Sequence, residues 1–395
     1  MRRAVLVSRI FAPEPAAASF RLAALTRALA AAGTHVTVLT TQARPGSPEP
    51  DDAALGARVH RARVLRDAFG YVRGYLPYLS FDLPTAWRLF RVLGGLRPQV
   101  VVVEPPPTTG LVVRLVCALR GVPYVYYAAD VWSDATRGTG APGLVARVLE
   151  RLEAWAWLGA RGVLAVTEGV AARVRELAPD AEVAVVRNGV DTEVFRPGLP
   201  RPEGAPERYL LYAGTASEWQ GAEVFVLALP ALRRSRPEVE LVFLGSGSAW
   251  RSLEELARQV APGAVRFVPQ VPPEEAARWQ ANALAACVSI VPGIGYDFAL
   301  PTKLFAAVAS GTPVVFAGPE ALAAHVVREG RLGRAVGHEP EAVAAALAEL
   351  VEGPVPQERQ RLAAWAREHA SLAATGREAA AHVSRWSDPA EEALD

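Results

Sequence analysis

Short apolar runs, many of them β-branched, recur along this chain, and each is followed by a stretch whose apolar residues return at helical intervals. That alternation restricts the fold more than any other feature. The runs at residues 4–7, 35–39, 100–103, 124–127, 163–166 and 183–186 are short and almost continuously apolar, as strands buried on both faces must be. They predict a parallel sheet whose crossovers are helices. After the first run, Phe20, Leu22, Leu25 and Leu29 lie at helical spacing behind Ser19, a candidate N-cap, and Gly33 closes that segment. Residues 195–206 read FRPGLPRPEGAP, which can propagate neither a helix nor a central strand and so predicts a linker. The alternation then restarts with runs at 209–212, 239–244, 265–268, 286–291 and 314–316. A chain of 395 residues is too long for one core and suits two. The expected fold is therefore α/β, with two Rossmann-like doubly wound parallel-sheet domains facing across a cleft, where the carboxyl ends of such strands bind ligands.

Composition narrows the partners. With 42 basic and 41 acidic residues the formal charge is +1, so no global field recruits nucleic acid or an anionic bilayer. The start MRRAVLVS has no long apolar segment with a cleavage site, and no uncharged run reaches about 18 residues, the length of a membrane span. A cytoplasmic place is expected. Cys117 and Cys287 sit far apart in apolar stretches and read as buried, inert thiols. His35, His60, His325, His338, His369 and His382 are scattered without ligand spacing, and no D-x-D pair follows a strand, so no metal is expected.

Nearly every cation is Arg, and Lys303 is the sole lysine. It lies in GIGYDFALPTKLFAAVASGTPVVF, residues 293–316, directly after a predicted strand. Pro301 blocks that strand, Thr302 can cap, and Leu304, Phe305 and Val308 give helical spacing until Gly311. Lys303 thus falls in a first helical turn, where a cation opposes the helix dipole unless an anion sits between them. A diphosphate would reconcile the two; a solvated loop lysine is the plain alternative.

Gly214 ends one predicted strand, and Gly245-Ser246-Gly247 follows another. Such turns present backbone N–H groups to a phosphate or base, or serve only to turn the chain. Asp297 is the one carboxylate in the donor-like loop, while Asp130 and Asp134 follow a strand in the first half. Asp130 and Asp297 could meet a sugar hydroxyl; Asp134 reads as solvated. The stretch 71–97 mixes Tyr71, Tyr75, Tyr78, Phe81, Trp87 and Phe90 with Arg73, Arg88, Arg91 and Arg97. Aromatic rings with arginines suit a bilayer interface, and core packing of a helix over 83–96 accounts for part of the pattern equally well.

Taken in order, several segments make the chain similar to glycosyltransferase family 4, in particular the bacterial subgroup that builds capsule and lipopolysaccharide sugars. They are FAPEP followed by Arg21 and HVTVLT, YLPYLSF, the EPPP turn at Glu104, DVW at Asp130, VTEG, VRNGVDTEVFRP, YAGTASEWQG, FLGSGS, and LPTKLF with ASGTPVV. The resemblance implies a GT-B fold, with domain 1–195 joined by a C-terminal helix at 372–388 that carries Trp386, and a second domain at 207–371. It implies a retaining, metal-independent, hexosyltransferase-like enzyme with no cofactor beyond a nucleoside-diphosphate sugar. The acceptor is implied to be a glycan, polyprenyl-diphosphate-linked, met at the inner face of the cell membrane.

Carried onto this sequence, the resemblance gives a donor site of Gly214, Gln220, Gly245, Gly247, Val268, Leu300, Pro301, Thr302 and Lys303. Asp297, Asp130 and Lys303 become the catalytic candidates, with Glu104 and Arg21 on the acceptor side. Three departures stand out. Ala306 occupies the place of a ribose-binding glutamate, Asp297 replaces the other glutamate of that pair at offset spacing, and Ala129 stands where a His or Arg is common. They motivate the alternative of a catalytically weakened subunit that binds a nucleotide or a partner protein.

Overall fold

The computed structural model describes residues 2–387 apart from 15, 44–46, 48, 67–71, 73–74 and 139–142. The chain divides into two compact units, one made of the residues up to Asn188 and those from Leu372 onward, the other of Gly189–Ser371. Segment 195–206, read as a linker, carries neither helix nor strand and hydrogen-bonds within the second unit. Arg278 donates to the carbonyls of Pro200 at 3.2 Å and Arg201 at 2.9 Å, and Asn282 donates to that of Leu199 at 3.1 Å.

The first unit holds β1 (Arg3–Val7), β2 (His35–Thr41), β3 (Ala57–Ala62), β4 (Val100–Val103), β5 (Tyr124–Ala128), β6 (Gly162–Ala165) and β7 (Val183–Val185). They form a parallel seven-stranded sheet in the order β3-β2-β1-β4-β5-β6-β7, with Leu6 in register with Val38 and Val102. Successive side chains of β1 enter different cores, as the two-residue period of a strand requires. Ala4 and Leu6 join Leu22 and Leu25 of helix Ala17–Ala31, whereas Val5 and Val7 join Phe81, Leu89 and Trp157.

The last helix, Leu372–Trp386, closes the first of these cores with Val383 and Trp386. Two glycines make that docking close. A Cβ on Gly162 would lie 2.2 Å from the Trp386 ring, and one on Gly376 would lie 2.7 Å from the backbone of Ala24.

The second unit holds β8 (Tyr209–Thr215), β9 (Glu240–Ser246), β10 (Val265–Pro269), β11 (Ala286–Ser289), β12 (Val314–Ala317) and β13 (Gly333–Val336), parallel and in the order β10-β9-β8-β11-β12-β13. In each sheet the strand order reverses once, between β1 and β4 and between β8 and β11. Crevices outside the carboxyl ends at such points are where open α/β sheets hold ligands.

Some local expectations are corrected. Ser19 does not cap its helix: it is the third helical residue, buried with its hydroxyl unpartnered, because the alanines before it start the helix at Ala17. The helix expected over 83–96 begins at Tyr75 and runs through Pro84, whose missing N–H it tolerates within a packed helix. β3 and β13 had no apolar run to announce them.

Candidate functional site

In the second unit the chain leaves β8 by passing from buried to exposed at Gly214 and Thr215. Lys303 comes to that point from the crossover after β11, the strand that lies beside β8. Pro301 is the N-cap of helix Thr302–Ala309, so Thr302 is the first helical residue and makes no side-chain cap, and Lys303 lies in the first turn. Its Nζ donates to the Thr215 carbonyl at 2.9 Å and stands 3.8 Å from the centre of the Tyr212 ring, beside Gly214. Among the described residues no carboxylate pairs with it. Burial without a counter-charge lowers the Lys303 ammonium to about 7. An electron-rich ring and a carbonyl hold one amine here against the positive end of a helix, an arrangement that an anion would complete.

The glycines around it serve the backbone. A Cβ on Gly245 would lie 2.2 Å from the Gly214 carbonyl oxygen, and one on Gly247 would lie 1.9 Å from that of Ala216, with both glycines at positive φ. Close approach of the loops that follow β8 and β9 therefore accounts for GxG by itself. Gln220 is buried, and its side-chain oxygen accepts from the Ser217 N–H at 3.0 Å in a capping box. That oxygen serves its own turn. Leu300 is partly buried against the core that contains Leu304 and Phe305, as is Ala306, so the ribose-binding position of the resemblance is apolar. Val268 is half-buried on edge strand β10 against the small core of Trp279.

Beyond β11 the loop 292–300 carries Gly293 and Gly295 at positive φ, and Asp297 accepts from the Gly293 N–H at 2.9 Å. Tyr296 stacks on Trp219 with centroids 4.8 Å apart and planes 25° from parallel. Trp219 in turn accepts at its carbonyl from Val291, at 2.9 Å, which fastens the turn after β8 to the end of β11. Neither ring stood out in the sequence as a site residue. Trp219 lies inside SEWQG, but nothing in the spacing links it to Tyr296.

In the first unit the residues placed on the acceptor side satisfy each other. Arg21 forms a buried ion pair with Glu104, and its other amino group donates to Asn188 at 3.2 Å. The Ser8 hydroxyl donates to the second Glu104 oxygen at 2.9 Å. The pair thus joins the ends of β1 and β4, the reversal point of the sheet. Asp130 is exposed after β5; surrounding protein pushes its carboxyl up, and the charge of Arg21 pulls it back. Asp134, expected to be solvated, accepts a two-point contact from Arg173, with Nε at 2.9 Å from Oδ2.

Sequence reading also missed Glu153. It is 1% exposed and accepts from the backbone N–H groups of Trp132 at 2.7 Å and Ser133 at 3.1 Å, so it caps the turn that follows Asp130.

The aromatic stretch divides between the two readings given to it. Tyr71 and Arg73 lie outside the described residues, as does the Tyr75 side chain. Phe81, Leu89 and Leu93 are core, and Phe90 is covered by the Arg120 guanidinium at 3.5 Å. Tyr78 stacks beneath the buried Arg9 at 4.3 Å. Leu76, Leu79, Leu83 and Trp87 are exposed, the last by 63%, and at these spacings they share one stripe of the helix. Among the described residues no helix is long and apolar enough to cross a membrane, and no group of three His, Cys, Asp or Glu side chains could hold a metal. Cys117 and Cys287 are buried thiols, and burial pushes Cys117 up to about 12.

Two doubly wound parallel sheets, each reversing order where its polar residues gather, define a GT-B protein. The Glycosyl transferase 4-like domain family matches residues 17–189, and the Glycosyl transferases group 1 family matches residues 207–353. The chain belongs to glycosyltransferase family 4. It is 34% identical over 285 residues to a D-inositol 3-phosphate glycosyltransferase of Nocardioides, a match that covers 64% of this chain and spans 59% of that relative's length. A glycogen synthase of Mycobacterium tuberculosis is 27% identical over 359 residues, 87% of this chain and 84% of its own.

Among solved structures, Anabaena HepE in complex with UDP and glucose superposes with a TM-score of 0.66 at 15% identity, covering 97% of this chain and 100% of that one. WaaG, a glycosyltransferase involved in lipopolysaccharide biosynthesis, gives 0.62 at 17% identity over 96% of this chain and 99% of its own.

Proposed function

We propose that this chain is a retaining glycosyltransferase that moves a sugar from a nucleoside-diphosphate sugar to an acceptor, without a metal or further cofactor. The observation that carries the reading is Lys303: the sole lysine stands in a helix's first turn, half-buried, with a carbonyl and a ring for company and no acid among the described residues. A donor diphosphate would supply the missing negative charge. As the glycosidic bond breaks, the diphosphate gains charge, and an ammonium already in place stabilises it without reorganisation. Asp297, with one carboxylate oxygen held by Gly293, is the nearest acidic group in sequence to receive sugar hydroxyls. Asp130 takes the acceptor side, on a turn held by Glu153.

The acceptor in this reading is a polyprenyl-diphosphate-linked glycan of cell-surface polysaccharide synthesis. The exposed stripe Leu76, Leu79, Leu83 and Trp87, with exposed Arg88 and Arg91 beside it, supports a peripheral contact with anionic lipid. Ala306 favours the second reading, a subunit that binds the nucleotide and turns over weakly, since no carboxylate stands there for the ribose.

Calorimetric titration with UDP, GDP, ADP and dTDP and their sugar conjugates, followed by assay for hydrolysis and transfer, separates the two. Binding with turnover supports the transferase, binding without turnover supports the weakened subunit, and no binding by any diphosphate removes both.

A further inference from the structure

The loop after β11 is unusual for its exposed apolar content. Ile294, Tyr296 and Phe298 are each close to half exposed, on a loop whose Gly293 and Gly295 stand at positive φ. Exposed rings on an ordered loop usually meet something, and here one of them is already positioned. Tyr296 lies nearly parallel to Trp219, so the Trp219 ring backs one face of a tyrosine that stays close to half exposed. Trp219 is anchored twice: its carbonyl takes the Val291 N–H, and its ring packs against the core of helix Thr302–Ala309. The turn that bears it begins at Thr215, the residue whose carbonyl holds Lys303. Next to Tyr296 stands Asp297, with Oδ1 on the Gly293 N–H and with no protein donor on Oδ2 among the described residues.

An aromatic face beside a carboxylate oxygen is chemistry that suits a pyranose. The axial C–H bonds of one sugar face carry partial positive charge and rest on a π-surface, while the hydroxyls at the ring's edge donate to the carboxylate. A nucleobase could also stack on the ring and offer its N–H groups to the carboxylate, and the titrations below separate it from the sugar. We propose that Tyr296, backed by Trp219, forms a platform for the transferred sugar of the donor, with Asp297 taking its hydroxyls. This rests on the reading of the Lys303 region as the diphosphate site.

The test separates the two readings because a nucleoside diphosphate lacks the sugar. Wild type, Trp219→Ala, Trp219→Phe, Tyr296→Ala and Asp297→Asn are titrated with UDP and with UDP-glucose, or with whichever diphosphate of a panel binds wild type and its conjugate. Melting curves are run alongside. The alanine variants should lose roughly three- to tenfold in affinity for the sugar nucleotide and less than twofold for the diphosphate, with Trp219→Phe in between. Equal losses for the two ligands would assign the rings to the base or to holding the loop, and unchanged affinities would leave them no part in binding; either overturns the platform. If Trp219→Ala melts early, the exposed Tyr296 carries the comparison alone. Failure of wild type to bind any diphosphate would instead remove the donor site itself.

Discussion

At the strand ends of the first unit the charged groups answer one another: Arg21 meets Glu104, Ser8 holds the far oxygen, and Glu153 spends both of its oxygens on backbone N–H groups. At the corresponding ends of the second unit, Lys303 has a ring and a carbonyl but, among the described residues, no acid. The two regions occupy the same topological place in their sheets, yet in one the buried base and acid are paired, and in the other the cation has no acid among the described residues. A complete network holds loops in position.

That contrast breaks most visibly at the buried pair. Glu104→Ala leaves the Arg21 guanidinium in the interior without its counter-charge, and should destabilise the first unit by about 3 to 5 kcal/mol. Chemical denaturation checks it; a loss below about 1 kcal/mol would mean that the pair behaves as a surface ion pair does.

Lys303→Ala should do the reverse, weakening diphosphate binding by about 1.5 to 3 kcal/mol, roughly one to two decades, while leaving stability unchanged or slightly higher. Lys303→Arg should recover part of the affinity, since charge is kept and the compact ammonium is lost. Titration and melting of all three proteins decide it, and equal affinities would show that the amine does not touch the anion.

A pH series sharpens the same comparison. Burial lowers Lys303 to about 7 in the folded protein, below its unfolded value, so across the interval above 7 the unfolded chain holds a proton that the folded chain has released. This contribution to stability therefore rises with pH through that window and is flat below it. Diphosphate binding should move the opposite way, falling as pH climbs past 7, with proton uptake visible as a dependence of the binding enthalpy on buffer. Lys303→Ala should flatten both profiles.

The smallest effect belongs to the exposed stripe of the first unit. Trp87→Glu should reduce recovery of the protein with anionic vesicles at low salt, and raised salt should reduce wild-type recovery as well. Absence of wild type from floated vesicles would point to a soluble acceptor.

Strands buried on both faces were legible because burial writes itself as a continuous apolar run, and every such run became a strand. β3 and β13 were not legible: as edge strands, ARVHRA and GRAV carry arginines and a glycine and need bury little. Lys303 could be singled out because the chain contains no other lysine and because Pro301 dates the start of its helix. Its ring partner could not, since Tyr212 reads as one more apolar residue of a strand. The same limit hid Glu153, which reaches across from another helix to a turn twenty residues earlier. GxG was legible as a turn, but only coordinates show two carbonyl oxygens where Cβ atoms would have to go.

The docking of the last helix on Gly162 and Ala24 also sets an order of assembly. A ribosome releases the first seven strands early, yet the helix that closes one of their cores emerges only after the whole second unit has been made, roughly ten to forty seconds later at usual elongation rates. During that interval Leu22, Leu25 and the cleft awaiting Trp386 lack the cover of that helix, so a stalled or truncated chain carries an uncovered apolar surface at the end that was made first.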